Sequence, residues 1–275
     1  MRERIGISLR YLKFFFSAKT KYQIHSPFVY NFITQVIEDQ RVYYAFSEIE
    51  YWRTQLLADS SKITVTDFGA GSHVHQGKQR RIEQIAKTAL SPKKQCQRLF
   101  RMILLLKPKT MLELGTSLGI TACYQGAAAR SAKLITLEGC PEIAKIAQRL
   151  LQRMQLKNTK LNVGKFTDTL APALQELQRV DYIFIDGHHQ KQPTLAYFEQ
   201  CLPYLHEHSV VIFDDIHWSI EMEEAWEIIK QHSAITLSID LFFMGIVFFR
   251  KDQKVKEHFE VVTARSKPWN MGFFK

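Results

Sequence analysis

The sequence predicts an α/β fold: a doubly wound, seven-stranded sheet whose last strand is antiparallel, behind a mostly helical N-terminal extension. Three observations predict it. From Thr110 onward, short apolar runs ending in glycine or an acid alternate with helical stretches, the rhythm of a parallel sheet covered on both faces. The last two runs, 235–243 and 244–250, have almost no loop between them, which permits a hairpin but no parallel crossover. Before residue 108 the apolar spacing is mostly helical. The expected organisation is therefore an extension over 1–108, a sheet domain over 109–251 and a tail over 252–275.

Within the extension, Pro27 in SPFVYNFITQVIED suits a first helical position with Ser26 as N-cap. Ser47 and Glu50 have the spacing of a capping box ahead of YWRTQLL. KITVTDFG (62–69) alternates like a strand. In the sheet domain the strands are TMLELG (110–115), KLITLEG (133–139), TKLNVGK (159–165), DYIFIDG (181–187), SVVIFDD (209–215) and the terminal pair. Helices fall between them, among them 141–155 with Pro141 at its start, about 169–178, 194–205 and 221–231.

Composition narrows the class. Apolar residues make up 46% and charged residues 23%, enough for a packed core and too apolar for disorder. Lys and Arg number 37 against 27 acids, a formal charge of +10 that favours anionic partners without naming one. No apolar run reaches the ~20 residues of a membrane-spanning helix. The basic start MRERIGISLRYLKFFFSAK is broken by Arg10 and Lys13 and has no small-residue cleavage site, so it is expected to be retained. The stripe Leu9, Leu12, Phe15 and Phe16 is compatible with peripheral contact to a membrane, though core or subunit packing is favoured. Four cysteines, widely spaced and without a C-x-x-C, point to a reducing cytoplasm.

In such sheets ligands bind where strands end. The first strand ends in Glu113-Leu-Gly115-Thr116-Ser117-Leu118-Gly119, where Gly115 permits a tight turn and Gly119 lets a helix begin close to the sheet. Glu138 follows Gly115 by 23 residues, the distance at which an acid can accept both ribose hydroxyls of a nucleoside cofactor. A solvated strand end is its plain alternative. The G-x-x-x-G spacing and the nearby Glu113 suit a cationic sulfonium better than a pyrophosphate, which favours S-adenosylmethionine.

Residues 110–250 resemble the class I S-adenosylmethionine-dependent methyltransferases, and among them the metal-dependent O-methyltransferases of the catechol and caffeoyl-CoA type. ELGTSLGI (113–120) is similar to the family's first motif, LITLEG (134–139) to the strand whose acid holds the ribose, and VGKFTD (163–168) to the loop bordering the adenine. The resemblance implies cofactor contacts at Glu113, Gly115, Thr116, Ser117, Gly119, Glu138, Gly164, Lys165 and Phe166, with Asp186 and His188 beside them. FIDGHH (184–189) and FDDIHW (213–218) bring carboxylates to two further strand ends; like charges gathered there suit a hard divalent cation. The resemblance places Mg²⁺ or Mn²⁺ on Asp186, Asp214 and Asp215. The family has Asn where Asp215 stands, so this chain carries an extra negative charge. Bordering the cofactor and capping the next helix are the alternative roles for Asp186 and Asp214.

Where the family has a basic residue, usually Lys, three positions after the first Asp, this chain has His189. A neutral imidazole is a competent base for an acidic hydroxyl. His189 and Asp186 are the catalytic candidates; His188 and His217 are lesser candidates for base, ligand or cofactor contact, and Trp218 is either a wall for an aromatic acceptor or part of the core. The implied activity is O-methylation of a small hydroxylated acceptor, an anionic one included. An RNA or DNA methyltransferase is the charge-motivated alternative, without an N/D-P-P-Y signature or a recognisable RNA-binding module to support it. A cofactor-binding scaffold without turnover is the third reading.

Family members use helices ahead of the first strand as a lid or a dimer contact, so acceptor specificity and a possible homodimer interface are expected in the extension. DFGAGS (67–72) also looks like a first methyltransferase motif, but no second strand ending in an acid follows before Thr110. The later motif is preferred, and the earlier glycines are expected to form a loop beside the site. Lys78, Arg80, Arg81, Lys93 and Lys94 form a basic cluster suited to an anionic substrate.

Overall fold

The computed structural model describes residues 2–66 and 79–270. DFGAGS and Lys78 therefore lie outside the described residues. Eight strands belong to one mostly parallel sheet flanked by helices, the α/β architecture expected, with one strand more than expected.

In chain order the helices and strands are α1 (Arg2–Ser17), α2 (Pro27–Phe32), α3 (Tyr44–Ala58), β1 (Lys62–Thr64), β2 (Gln79–Arg81), α4 (Ile82–Ala89) and α5 (Lys93–Leu106). Then follow β3 (Thr110–Leu114), α6 (Ile120–Ala128), β4 (Lys133–Glu138), α7 (Pro141–Arg153), β5 (Thr159–Val163) and α8 (Phe166–Leu177). The remainder is β6 (Tyr182–Ile185), α9 (Lys191–Cys201), β7 (Val210–Asp214), α10 (Ile220–Gln231), β8 (Leu237–Asp240), β9 (Met244–Phe248) and β10 (Glu257–Glu260). By spatial grouping, residues 40–180 form one compact unit and residues 1–39 with 181–275 another.

The unit 40–180 contains β3, β4 and β5, paired in parallel with Leu112 beside Ile135 and Ile135 beside Lys160. Strand β3 is buried from Met111 to Leu114, as a strand covered on both faces must be. The core of this unit runs from Phe46 and Ile49 of α3 through Phe100 of α5 to Tyr124 of α6. That packing corrects the predicted capping box. Helix α3 begins at Tyr44, with Tyr43 at the N-cap position but its side chain not capping the helix, so Ser47 lies inside it. Tyr43 and Phe46 stack on Phe100 at 5.1 and 5.0 Å, and this aromatic contact draws the helix start one turn earlier. Glu50 accepts instead from the Tyr124 hydroxyl at 2.8 Å and pairs with Arg53 at 3.0 Å. Of the strand expected over 62–69, Lys62–Thr64 is extended and pairs antiparallel with β2. Helix α8 begins three residues before the predicted 169, directly after Lys165.

The other unit holds β6 and β7 in parallel, β9 antiparallel to β7, and β8 antiparallel to β9. The predicted hairpin is thus present. The eighth strand, β10, comes from the tail and pairs in parallel with β8, Glu257 beside Leu237. Helix α9 starts at Lys191 rather than 194 and gives way to a 3₁₀ turn at Leu202–Tyr204. Ser26 caps α2 as predicted, accepting from the Val29 amide at 3.5 Å with Pro27 at the first turn. Helix α1 packs Phe14 against Phe242 at 5.4 Å, and Lys19 bridges to Val261 of the tail. Lys267 closes the end of α1, its Nζ donating to the carbonyls of Phe16 and Ala18 at 3.1 and 2.6 Å. Leu9, Leu12 and Phe16 of the predicted stripe point to solvent. No described helix is long and apolar enough to cross a membrane.

Candidate active site

The glycine elbow in the unit 40–180 is built from backbone. Gly115 (φ 103°), Ser117 (φ 48°) and Gly119 (φ 88°) are all left-handed, a conformation that L side chains adopt at a cost. The amides of Gly115 and Thr116 both donate to the Leu137 carbonyl at 3.0 Å, which fastens the turn to β4. Gly119 begins α6, and a Cβ there would sit 3.1 Å from Cα and Cβ of Ala147 on α7. Glycine is therefore demanded twice at this position, by dihedral and by helix contact.

Glu138 reaches the elbow from the end of β4. Its Oε2 accepts from the Ser117 amide and its Oε1 from the Cys140 amide, each at 2.8 Å. Burial pushes its carboxyl above the ordinary range, and these amides pull it back toward the ionised form. The Ser117 hydroxyl is buried without a hydrogen-bond partner. Such an orphan is costly unless a ligand satisfies it, and it fits the polar edge of a nucleoside cofactor.

Glu113 and Thr116 lie deeper than the sequence implied. Both are fully buried: Gln125 Nε2 and Thr136 Oγ1 donate to the two oxygens of Glu113, and the Thr116 and Thr136 hydroxyls bond to each other. Glu113 thus braces the base of the elbow from inside. Gly164 (φ 146°) ends β5, and its amide donates to the Glu138 carbonyl at 2.9 Å. Lys165 caps α8 and Phe166 is buried at its first turn. The elbow, Glu138 and the 164–166 loop are therefore joined through β4.

In the unit containing β6 and β7, Ile185 pairs with Phe213, so the register sets Asp186, just past β6, beside Asp214, the last residue of β7. Asp214 is 7% exposed, and its Oδ1 is buried with no hydrogen bond. Burial first, then the charges of Asp186 and Asp215, hold its carboxyl well above the ordinary range. Asp215 is also pushed up by burial, with His189 opposing. His189 Nε2 stands 3.5 Å from Asp186 Oδ1, and His188 Nδ1 is 2.8 Å from the Tyr197 hydroxyl. His188 (φ 66°), His189 (φ 38°) and Asp215 (φ 54°) are left-handed, as is Ser117 in the other unit. Half of the eight described non-glycine residues with positive φ thus fall at predicted site positions.

The carboxylates of Asp186, Asp214 and Asp215 suit a hard cation by donor type and by the mutual repulsion felt at Asp214. They are not among the described groups of three whose ligand atoms all lie within 4.8 Å of one another; Asp240, His258 and Glu260 are such a group. That second group is already satisfied by protein donors. Asp240 accepts from His217, Trp226 Nε1 and the Phe242 amide, His258 bonds Ser238, and Ser17 bonds Glu260.

His217 is corrected as a free base or ligand: its two ring nitrogens are held by Glu223 at 2.9 Å and Asp240 at 2.8 Å. It stacks on Phe242 at 4.9 Å, and Trp218 beside it is exposed. Sequence reasoning missed what holds this loop. Arg10 of α1 donates to the carbonyls of His217 and Trp218 at 3.2 and 3.1 Å, clasping the segment that follows Asp214-Asp215. The two ends of that clasp are about 200 residues apart, and no local pattern marks it. Tyr197, the partner of His188, was equally invisible.

Known proteins resemble this chain in the same places. Residues 112–216 match the family model described as a methyltransferase domain, a stretch running from β3 past Asp214 and Asp215. A catechol O-methyltransferase of Niastella koreensis is 31% identical over 115 residues, covering 41% of this chain. The chain spans about half the length of that curated relative, 51%. Among solved structures, the SAH-bound methyltransferase of Podospora anserina covers 83% of this chain and 97% of its own, at 14% identity and TM-score 0.58. An O-methyltransferase of Bacillus cereus, solved with SAH, covers 79% and 99% at 17% identity and TM-score 0.53. These likenesses show the methyltransferase fold, and the resemblance read from the motifs holds for the matched stretch.

Proposed function

We propose that this chain is an S-adenosylmethionine-dependent O-methyltransferase acting on a small hydroxylated acceptor with the help of a divalent metal. The observation that carries the reading is the preassembled elbow: Glu138 fixed on the Ser117 amide at 2.8 Å, beside a buried Ser117 hydroxyl with no partner. The family match over 112–216 and the catechol O-methyltransferase relative support the same chemistry.

Bound S-adenosylmethionine supplies an electrophilic methyl on a cationic sulfur that leaves as a neutral thioether. Glu138 accepts hydrogen bonds from the ribose hydroxyls, while Ser117 and the backbone from Gly115 to Gly119 shape the cleft around the remaining groups. Gly164, Lys165 and Phe166 border the base. Glu113 places its negative charge under the elbow, where it favours a cation over a phosphate. Asp186, Asp214 and Asp215 would hold Mg²⁺ or Mn²⁺, whose chemistry is to lower the pKa of a hydroxyl and orient its oxygen. His189, whose Nε2 stands 3.5 Å from Asp186, would accept the proton of the acceptor hydroxyl; the oxygen would gain the methyl while the sulfur keeps the electrons of the broken carbon–sulfur bond. The four cysteines, all buried free thiols, suit a reducing cytoplasm.

Calorimetry with S-adenosylhomocysteine tests the cofactor half, and labelled methyl transfer to a catechol panel with and without chelator tests the metal half. Binding that Glu138→Ala leaves unchanged would remove the ribose assignment. Full turnover in chelator would remove the metal from Asp186, Asp214 and Asp215.

A further inference from the structure

Helix α5 carries Lys94, Arg98 and Arg101 at spacings of four and three, so the three side chains project from one face. Arg101 is 6% exposed and well lodged. Its Nη2 donates to the Arg41 carbonyl at 2.9 Å, and its guanidinium lies over the rings of Tyr43 and Phe46 at 5.8 and 5.5 Å.

Arg98 is not provided for in this way. The residue is partly buried, its Nε, like that of Arg101, is shielded from solvent with no acceptor, and none of the described residues holds the rest of its guanidinium as that of Arg101 is held. Among the described residues it has no ion pair, and the charged groups it interacts with are the cations on either side. Burial and then Arg101 push the Arg98 guanidinium down, and burial and then Arg98 push the Lys94 ammonium down. Arg53, in the same unit, shows how the fold treats a structural guanidinium: Glu50 lies 3.0 Å from its Nε, and its Nη1 donates to the Ser91 carbonyl at 3.0 Å. A shielded cation flanked by two others, with no carboxylate paired to it among the described residues, lacks the counter-charge that its desolvation calls for.

We propose that Arg98 and Lys94 form an oxyanion-binding site that takes a phosphate or carboxylate group. Arg98 offers a planar fork for two parallel hydrogen bonds, and Lys94, exposed four residues earlier, adds a mobile point charge. Arg101 fixes one wall and contributes field without giving up its own contacts. The assignment is independent of methyl transfer and stands whether or not the chain is an enzyme.

The test is thermal unfolding and calorimetry of the full chain in inorganic phosphate or acetate against chloride at equal ionic strength. The parent should bind phosphate and unfold at a higher temperature in it, by mass action on the folded state. Arg98→Gln should weaken phosphate binding ~10-fold or more, Lys94→Gln by less, and the exposed control Lys145→Gln not at all. In chloride, Arg98→Gln should be at least as stable as the parent, because an uncompensated cation is gone. Phenyl phosphate binding more tightly than inorganic phosphate would identify the ligand as a group on a larger molecule, and equal binding a free ion. The proposal falls if Arg98→Gln keeps the parent's affinity for phosphate, if the parent binds neither anion, or if Arg98→Gln is destabilised in chloride.

Discussion

The acidic residues of the two units are handled in opposite ways. In the unit 40–180, Glu138 is bound by two backbone amides and Glu113 is gripped by Gln125 and Thr136. In the unit containing β6 and β7, Asp214 keeps a buried oxygen with no donor and faces the charges of Asp186 and Asp215. Hydroxyls are recognised by an acceptor whose oxygens are already held in place, which is what amide donors provide. A cation is recognised by carboxylates left short of positive charge. The contrast teaches that one unit engages its acids with donors of its own, while the other leaves Asp214 with an unsatisfied buried oxygen.

The sharpest way to break that contrast is Asp214→Asn. Turnover should fall about 100-fold or more, as when a group that stabilises charge in the reaction is deleted. The variant should nevertheless be more stable than the parent in chelator, since the repulsion is removed. The pH dependence carries the same information. Because the folded carboxyl of Asp214 titrates well above its ordinary value of 3.8, the folded chain binds more protons than the unfolded one in that interval. Stability in chelator should therefore fall as pH rises from about 4 toward the raised value, and Asp214→Asn should flatten that slope in urea unfolding. Lower stability of the variant in chelator would end the comparison.

Glu138→Gln probes the other side. It keeps the shape but gives up the charge that two amides hold, so affinity for S-adenosylhomocysteine should drop about 10- to 100-fold by calorimetry, with little change in metal response. Gly119→Ala should cost ~1–3 kcal/mol in urea unfolding, because the new methyl meets Ala147 at 3.1 Å on a backbone of φ 88°. The smallest effect is expected for Arg10→Ala. Its pair with Glu223 is partly exposed at 3.6 Å, so the loss of stability should be under about 1 kcal/mol. Turnover should drop several-fold all the same, if the clasp on the His217 and Trp218 carbonyls steadies the loop after Asp215. A larger loss of stability than of turnover would make Arg10 purely structural.

Much of this arrangement was legible in the chain itself. Strand ends can be read because apolar runs stop at Gly115, Glu138, Asp186 and Asp214, and local rules govern a run and its terminating turn. The hairpin of β8 and β9 followed from a connection too short for anything else. Boundaries that depended on distant packing were misread. Ser47 and Glu50 have the spacing of a cap, but Phe100 and Tyr124 decide where α3 begins and what Glu50 bonds. Likewise β10 gained its place from the free edge of β8.

By itself, the amino-acid order determined the alternation of strands and helices, the glycine elbow and the residue types at each strand end, because these rest on backbone sterics and hydrophobic period. Tertiary structure alone decided that Glu113 faces inward, that His217 is locked between Glu223 and Asp240, and that Arg10 holds the loop beyond Asp215. Each of those outcomes turns on which group, far along the chain, arrives to satisfy a buried charge or hydrogen bond. Spacing within a segment carries no record of that meeting.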